Sequence, residues 1–384
     1  MNEVVIVGVG QTPVGEHWDI SLRELAFNAL EIARQDAPGL HPQALYVGNM
    51  LAPALSRQSH LATLIADFVG LTGIEAVAIE GAGASGGLAL RQGYLAVASG
   101  AIDTVLVLGV EKLTDQTAPH VQSAISTGTD TDYEAEQGLT LTAQAALLMR
   151  RYMHEFEVPD GALSGFPVIA HANGVNNPNA MFRRAIRPET YQKAGMVSDP
   201  LNMFDVAPNA DGAAALLLTR PELLPPDYPH RLVRITGSAA ATDTLALHDR
   251  RDPLTFNAAR LSTERACRQA GIELSDIDLF ELYDAFSIYA ALTLEAVGFA
   301  ERGEGWKMAQ NGAINLTGKL PILTLGGLKA RGNPGGATGV YQAAEAALQL
   351  RGEANESQIK NAETALVQSL GGPASTAVTH ILKT

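Results

Sequence analysis

Apolar and polar residues alternate along the chain with two distinct periodicities. Short apolar runs rich in β-branched residues, such as "VVIVGVG" (4–10) and "TVLVLGVE" (104–111), predict buried strands. Segments with apolar residues at three- and four-residue spacing, such as 21–35 and 56–70, predict amphipathic helices. Because the two kinds of segment follow one another in turn, the pattern favours an α/β fold whose sheet is covered on both faces.

Two distant parts of the chain share one plan. Residues 76–100 and 321–352 each predict an apolar strand, a glycine-rich loop and a helix. Residues 277–298 predict a strand, a turn and an apolar helix, and residues 364–382 predict a hairpin of strands around a Gly-Gly pair. The repeated plan points to an internal duplication. Further strands are predicted at 44–50, 213–220 and 230–241.

Residues 112 to about 200 interrupt this alternation. They are polar and rich in Thr, Asp and Asn, so they predict an insertion of helices and long loops lying over a site. The insertion also carries a cluster of basic residues in an acidic protein. These are Arg183, Arg184, Arg187 and Lys193.

Composition narrows the class of protein. The chain has 384 residues and a formal net charge of −14, which argues against a surface for nucleic acid or anionic membrane. The single cysteine, Cys267, excludes a disulfide within the chain and is expected to be a buried, inert thiol. With no signal-peptide pattern and no apolar run of membrane-spanning length, we expect a cytoplasmic protein. No Cys/His cluster or acidic calcium loop predicts a metal site.

The loop "GAGASGG" (81–87) fits G-x-S-x-G, the pattern of a serine nucleophile. A hydrolase of that type would also need an acid and a histidine, and none of the histidines stands in a supporting motif. The alternative is that Ser85 caps the helix that follows, since a serine hydroxyl satisfies an unpaired N–H at a helix start. We favour the cap.

Four motifs taken together are more specific than this loop. Beside "GAGASGG" stand "ELYDAF" (281–286), "GGLKARGNPGGATG" (326–339) and "SLGGPAS" (369–375). In this order and spacing the chain resembles the thiolase superfamily, and it is most similar to the branch of sterol-carrier-protein-type and archaeal thiolases.

The resemblance covers nearly the whole chain and implies a thiolase fold. That is an α/β fold of two similar halves in a layered αβαβα arrangement, with a loop-domain insertion. We expect the N-terminal half at 1–240, with the insertion at about 112–200, and the C-terminal half at 241–384.

The resemblance also marks where the family keeps its reactive residues. The cysteine of C-A-S-G corresponds to Gly83, and the histidine of G-H-P corresponds to Asn333. The motif H-D-C-F corresponds to residues 283–286, beginning at Tyr283, and the cysteine of C-x-G-G corresponds to Ser369. Glycine has no side chain and asparagine is not a base near neutral pH, so cysteine-dependent thiolysis is not expected.

Other groups in these motifs can still act on a thioester. Tyr283 and Tyr341 offer phenols for proton transfer, and nearby donors or cations would lower their pKa values. Asp284 would orient one of them, although helix capping and plain packing explain these residues equally well. Asn333 would donate a hydrogen bond to an oxyanion, with the backbone amides of Gly83 and Gly372 supporting it.

Coenzyme A, as acyl-CoA substrate, is the cofactor that the resemblance implies, and no metal or redox cofactor is expected. In the family the segment containing Arg183, Arg184 and Arg187 covers the nucleotide end of coenzyme A, and arginine suits phosphate. His171 belongs to a match to H-x-x-x-x-x-N-P and lies near the acyl-CoA tunnel or is structural. Ser85 is a further candidate for binding the cofactor.

Three functions therefore compete. The first is an acyl-CoA enzyme that makes or breaks a C–C bond without a covalent intermediate, such as an aldolase-type lyase or an atypical acyltransferase. The second is a non-catalytic thiolase-like subunit, paired with a small OB-fold acyl-CoA-binding protein. The third, held lowest, is a serine hydrolase or acyltransferase acting through Ser85. The resemblance implies a homodimer or homotetramer for the assembly.

Overall fold

A computed structural model describes residues 2–384 of the protein. The strands are β1 (Val5–Gln11), β2 (Ala44–Gly48), β3 (Glu75–Ile79), β4 (Val105–Glu111), β5 (Met196–Ser198), β6 (Leu201–Asn202), β7 (Gly212–Thr219), β8 (Val233–Thr242), β9 (Leu279–Glu281), β10 (Thr364–Gly371) and β11 (Thr376–Lys383). The α-helices are α1 (Leu22–Asp36), α2 (Ala52–Leu55), α3 (Leu61–Phe68), α4 (Ser85–Ser99), α5 (Ala118–Ser126), α6 (Leu141–Glu155), α7 (Gly165–Gly174), α8 (Pro188–Gln192), α9 (Asn257–Ala270), α10 (Ser287–Val297), α11 (Gly305–Met308) and α12 (Thr338–Arg351).

The main sheet contains the same pairing pattern twice. Its strand order is β3-β2-β4-β7-β1-β8-β11-β10-β9. In the first half β1 is antiparallel to β7, β7 is antiparallel to β4, and β4 is parallel to β2. In the second half β8, β11, β10 and β9 repeat those three relationships in that order. The halves meet where β1 pairs with β8 over two residues.

Helices and sheet form five layers, because the strand residues alternate between separate cores. Val5 and Val7 of β1 pack with α1 and α3, whereas Val4 and Ile6 pack with the central helices α4 and α12. In β10, Val367 faces the central helices, and Leu366 faces the outer layer of α9 and α10. The order is helix, sheet, helix, sheet, helix, which confirms the predicted layered fold of two similar halves.

The central helices touch one another through their first turns. A Cβ atom at Gly339 of α12 would lie inside van der Waals distance of the Gly87 backbone nitrogen and 2.6 Å from Ser369 Oγ. The glycines of the two predicted loops therefore allow two helix backbones to approach more closely than side chains would permit.

Local signals set several helix ends. Ser21 Oγ accepts a hydrogen bond from the Glu24 amide, and the Glu24 carboxylate accepts one from the Ser21 amide at 2.7 Å. This capping box begins α1. The helix predicted at 56–70 begins later, at Leu61, because the preceding residue His60 adopts a left-handed conformation with φ of 59°.

The prediction of a strand at the start of 321–352 is wrong, because no strand forms there. Ile322 makes only an isolated parallel bridge to Phe280. Leu323 then takes a positive φ of 51°, and the Thr324 amide turns to the Glu281 carboxylate at 2.9 Å. The ladder therefore stops after one bridge, at the place in the second half that β3 fills in the first.

The segment 112–200 consists of α5 to α8, β5 and connecting loops, with a π-helical turn at Thr131–Ala135. Cys267 is buried on α9, as expected, and burial raises the pKa of its thiol to about 11. Within residues 2–384, no helix has the length and apolarity needed to cross a bilayer.

Candidate functional site

A cavity of about 160 Å³ lies where several strand ends and helix starts converge. Its walls come from the loops that follow β2, β3, β9 and β10, the loop that precedes α12, the segment before β7, and the insertion. The lining residues are Met50, Leu51, Ala82, Gly83, Leu113, Gln122, Ile125, Gly128, Leu141, Thr142, Val206, Ala207, Asn209, Tyr283, Ala285, Phe286, Asn333, Gly335 and Gly372. The mixture of an apolar wall with a few polar groups is typical of a small-molecule site.

The cavity brings together four residues that the sequence singled out. They are Gly83, Tyr283, Asn333 and Gly372. Each stands on a different loop, and β-sheet pairing together with the contact between α4 and α12 gathers those loops.

Gly83 has no room for a side chain. A Cβ atom there would lie inside van der Waals distance of the Tyr283 hydroxyl and 2.7 Å from the Leu370 carbonyl oxygen. The phenol therefore fills the space that a larger residue at position 83 would need. The preceding residue, Ala82, holds a positive φ of 50°, an uncommon conformation for a residue other than glycine.

The Tyr283 phenol is neutral at physiological pH. Burial, and secondly the charge of Asp284, raise its pKa above the ordinary value, while Arg331 acts in the opposite direction. This corrects the expectation that neighbouring cations would lower the pKa, because desolvation outweighs them. At physiological pH the group is therefore present as a phenol, which can act as a donor, and not as a phenolate base.

Asn333 is held by its own backbone and by one side-chain contact. Its amide donates to the Pro208 carbonyl at 3.0 Å, and its carbonyl accepts from the Ala210 amide at 3.2 Å. The Thr338 hydroxyl donates to Asn333 Oδ1 at 3.2 Å. With Oδ1 bonded to Thr338, the side-chain NH2 is the end of the amide that a ligand in the cavity would meet.

The other predicted catalytic residues lie outside the cavity lining. The Tyr341 hydroxyl donates to the Thr12 carbonyl at 2.9 Å in the core between the central helices and the sheet. Ser369 Oγ donates to Gln342 Oε1 at 3.0 Å, also in a buried position.

Asp284 is buried beside the loop that precedes Asn333. Its carboxylate accepts from the Leu328 amide at 2.7 Å and from the Lys329 amide at 3.3 Å. Asp284 therefore fastens the π-helical turn Gly327–Arg331 to the loop that carries Tyr283. The contacts are those of a residue that fixes a loop.

The Ser85 hydroxyl serves its own turn. It donates to the Ala82 carbonyl at 2.6 Å and accepts from the Gly81 amide at 3.0 Å. The side chain is fully buried and does not line the cavity. Both hydrogen bonds are local, but neither reaches an N–H of α4, whose first turn has no side-chain cap. The capping prediction is therefore wrong, because the hydroxyl bonds to the turn that precedes the helix.

The predicted cofactor residues lie on the insertion, in and around α7 and α8. His171 is buried between Phe182 and Phe204, and desolvation lowers its pKa, so its ring is neutral. Arg183 and Arg184 are exposed.

Arg187 borders a separate surface depression beside α8. Lys193, Met203 and Phe204 also line it. Phe204 lines this depression and Val206 lines the cavity, so these two residues, two positions apart, lie within about 7 Å of each other.

Sequence reasoning missed several buried charges around the cavity. Lys329 donates to the Asp205 carbonyl at 2.8 Å, and burial lowers its pKa to about 8. Arg331 pairs with Glu345 at 2.7 Å with both side chains buried. Both basic residues belong to "GGLKARG", and that motif could have indicated them if its charged positions had been considered with its glycines.

Glu111 was also missed, because it is the last residue of an apolar strand and has no motif of its own. Among residues 2–384, no group of three His, Cys, Asp or Glu side chains is placed to hold a metal ion.

Fold and site define a protein of the thiolase class, and the comparison with protein families agrees. The family model described as "Thiolase, N-terminal domain" matches residues 4–222, and "Thiolase C-terminal domain-like" matches residues 239–384. The chain therefore belongs to the thiolase family.

Individual relatives extend this result. The chain is 43% identical over 383 residues to an acetyl-CoA acetyltransferase of Methanothermobacter thermautotrophicus, with 99% of each chain covered. It is 29% identical over 396 residues to sterol carrier protein 2 of Bos taurus, covering 96% of this chain and 70% of that protein. A solved structure of the Ltp2-ChsH2(DUF35) aldolase matches with a TM-score of 0.81 and 26% identity, covering 99% of this chain and 97% of that one.

Proposed function

We propose that this protein binds acyl-CoA in the cavity and makes or breaks a C–C bond without a covalent cysteine intermediate. The observation that carries the proposal is that the Tyr283 phenol fills the space beside Gly83. As the family resemblance implies, Gly83 and Asn333 stand where thiolases keep their cysteine and histidine. A phenol and an amide then take the place of a nucleophile and its base.

Retro-aldol cleavage of a β-hydroxyacyl-CoA suits these groups. In that reaction the β-hydroxyl loses a proton, the Cα–Cβ bond breaks and Cα gains a proton, so no proton is consumed overall. A neutral phenol can donate to Cα while it receives the hydroxyl proton. Asn333 and the Gly83 and Gly372 amides would stabilise the thioester oxyanion.

Coenzyme A would lie across the insertion. Its nucleotide end would lie at the depression bordered by Arg187 and Lys193, since guanidinium and ammonium groups bind phosphate and Phe204 offers an aromatic face. The pantetheine arm would then follow the segment from Phe204, which lines the depression, to Val206, which lines the cavity.

A second candidate is a thiolase-like subunit that binds acyl-CoA but needs a partner, such as a small OB-fold protein. The similarity to the Ltp2-ChsH2(DUF35) aldolase supports it, because that name joins two polypeptides. The same similarity supports the aldolase chemistry. Serine hydrolysis has no comparable support, since the Ser85 hydroxyl bonds to its own turn.

The test combines binding with turnover. Calorimetry should detect coenzyme A binding, and mass spectrometry should detect a carbonyl product and a shortened acyl-CoA from a panel of β-hydroxyacyl-CoA compounds. Tyr283→Phe should lower turnover by about 100-fold or more while coenzyme A still binds, because it removes only the proton donor. Tyr46→Phe is the matched control, because Tyr46 does not line the cavity and its hydroxyl donates to Glu75.

The outcomes separate the candidates. Equal turnover by Tyr283→Phe and wild type would contradict the role of the phenol. Binding without turnover, together with capture of a small OB-fold protein, would favour the subunit. Labelling of Ser85 by a fluorophosphonate would favour a serine enzyme, and failure to bind coenzyme A would refute both leading candidates.

A further inference from the structure

A single buried carboxylate joins two of the loops that form the cavity wall. Glu111 ends β4, and its side chain is fully buried. Its Oε1 atom accepts from Asn49 Nδ2 at 2.8 Å and from the Leu51 amide at 3.1 Å. Its Oε2 atom accepts from the Met50 amide at 2.8 Å and from the Gly336 amide at 3.0 Å.

These four donors use the full acceptor capacity of the group. An ionised carboxylate has two oxygens with about four lone-pair sites, and every one faces an N–H group here. Three donors belong to the loop after β2 and one belongs to the loop before α12. The cavity is lined by Met50, Leu51 and by Gly335, which precedes Gly336. The Glu111 carboxylate therefore lies directly behind the cavity wall.

Among residues 2–384, no cation pairs with this buried carboxylate. The loops at 49–51 and 335–336 contain no titratable side chain. Lys112, the next residue, lies 3.7 Å from Asp211 and also pairs with Asp115, on the other side of the strand. A buried carboxylate without a counter-ion is costly, and here only hydrogen bonds to the two loops offset the cost.

We propose that Glu111 is a positioning residue that fixes the loops at 49–51 and 335–336 relative to each other and so sets the shape of the cavity. Its role is indirect, since it does not line the cavity. That the cavity binds acyl-CoA rests on the proposed function, whereas the role of Glu111 in connecting the two loops is independent of it.

Glu111→Gln is the informative variant because it conserves size and removes half of the acceptors. Glutamine has one carbonyl oxygen, and its NH2 group would face two N–H donors. At pH 8.5, above the value of about 7 to which burial raises the Glu111 pKa, amide exchange measured by mass spectrometry should be at least about tenfold faster in peptides covering 49–55 and 335–338. A residue that only filled space would leave these amides protected.

Glu295→Gln is the matched control, since its carboxylate accepts from the Gly305 amide at 2.8 Å and lies away from the cavity. It should leave both peptides protected as in wild type. Exchange of both peptides within about twofold of wild type in Glu111→Gln would overturn the proposal. If that variant does not fold, Glu111→Asp decides: the shorter arm cannot span both loops, so at least one peptide must lose protection, and retention of both would overturn it.

Coenzyme A titration of the same proteins separates the two proposals. Glu111→Gln should bind coenzyme A about tenfold more weakly than wild type, because the cavity wall is no longer fixed. If wild type binds no coenzyme A, the proposed function fails and the exchange measurement still decides the role of Glu111. If wild type and Glu111→Gln bind equally well, the loops do not shape the binding site and the inference fails.

Discussion

At the scale of single residues, the pair Gly83 and Tyr283 determines what the cavity can do. Glycine at one position and a phenol at the other are sterically linked, because a Cβ atom at Gly83 would overlap the Tyr283 hydroxyl. The sequence identified both residues through their motifs. That they face each other depends on how the loops after β3 and β9 meet, which no local pattern contains.

Restoring a cysteine at position 83 should therefore destabilise the protein. Gly83→Cys introduces a side chain against Tyr283 and 2.7 Å from the Leu370 carbonyl oxygen, and we expect a loss of about 1–3 kcal/mol in the free energy of unfolding. Urea denaturation measures this. We also expect no thiolase activity, because Asn333 supplies no base.

The double variant Gly83→Cys/Tyr283→Ala is the control for this prediction. Relative to Tyr283→Ala alone it should lose less stability than Gly83→Cys loses relative to wild type, since the phenol is gone while the Leu370 carbonyl remains. Wild-type stability in Gly83→Cys alone would show that the space beside Gly83 is open.

At the scale of elements, the contact between α4 and α12 governs the site. Both helices begin at the cavity, and Gly339 allows their backbones to touch. The sequence predicted both loops and both helices from glycine spacing and periodicity. It overpredicted a strand at the start of 321–352, where the apolar run is real but Leu323, with a positive φ of 51°, ends the ladder.

Gly339→Ala should destabilise the protein although alanine is the better helix former. The added methyl group would meet the Gly87 backbone and Ser369 Oγ at 2.6 Å, so we expect a loss of about 2–3 kcal/mol despite a propensity gain of about 1 kcal/mol. Chemical denaturation followed by circular dichroism gives the difference.

Gly195→Ala is the appropriate comparison, because a Cβ atom at Gly195 would contact nothing within 4 Å. We expect it to change stability by less than about 0.5 kcal/mol. A neutral Gly339→Ala would mean that the helices can separate at no cost.

At the scale of the whole molecule, buried ionisable groups make stability depend on pH. His380 on β11 is fully buried, with Nε2 3.1 Å from the Gly87 carbonyl, and so links the second half-sheet to a central helix of the first half. Burial lowers the pKa of His380 to about 4. Because the folded state resists protonation and the unfolded state does not, this contribution is present above about pH 6.5 and is lost as the pH falls towards 4.

Between pH 7 and pH 5 the His380 contribution should fall by about 2 kcal/mol. Glu111 and Glu281, whose pKa values burial raises to about 7 and about 8, act in the opposite direction. The measurement is therefore the difference in the free energy of unfolding between wild type and His380→Gln at the two pH values. The exposed His154→Gln should follow wild type; a pH dependence unchanged in His380→Gln would contradict the assignment.

The sequence by itself determined most of the elements, the two-half plan and the family of this protein. Periodicity and glycine spacing are local properties of the chain, and the long motif "GGLKARGNPGGATG" is specific even without a structure. Residues 4–222 and 239–384 match the two thiolase domains accordingly.

Only the tertiary structure decided which of the predicted polar residues share a cavity. Tyr283 and Asn333 face it, whereas Tyr341 and Ser369 bond within the core, although all four stand in similar motifs. The direction of a side chain and the path of a loop depend on partners distant in sequence. For the same reason Glu111, whose donors lie 60 or more residues away along the chain, carried no signal in the sequence.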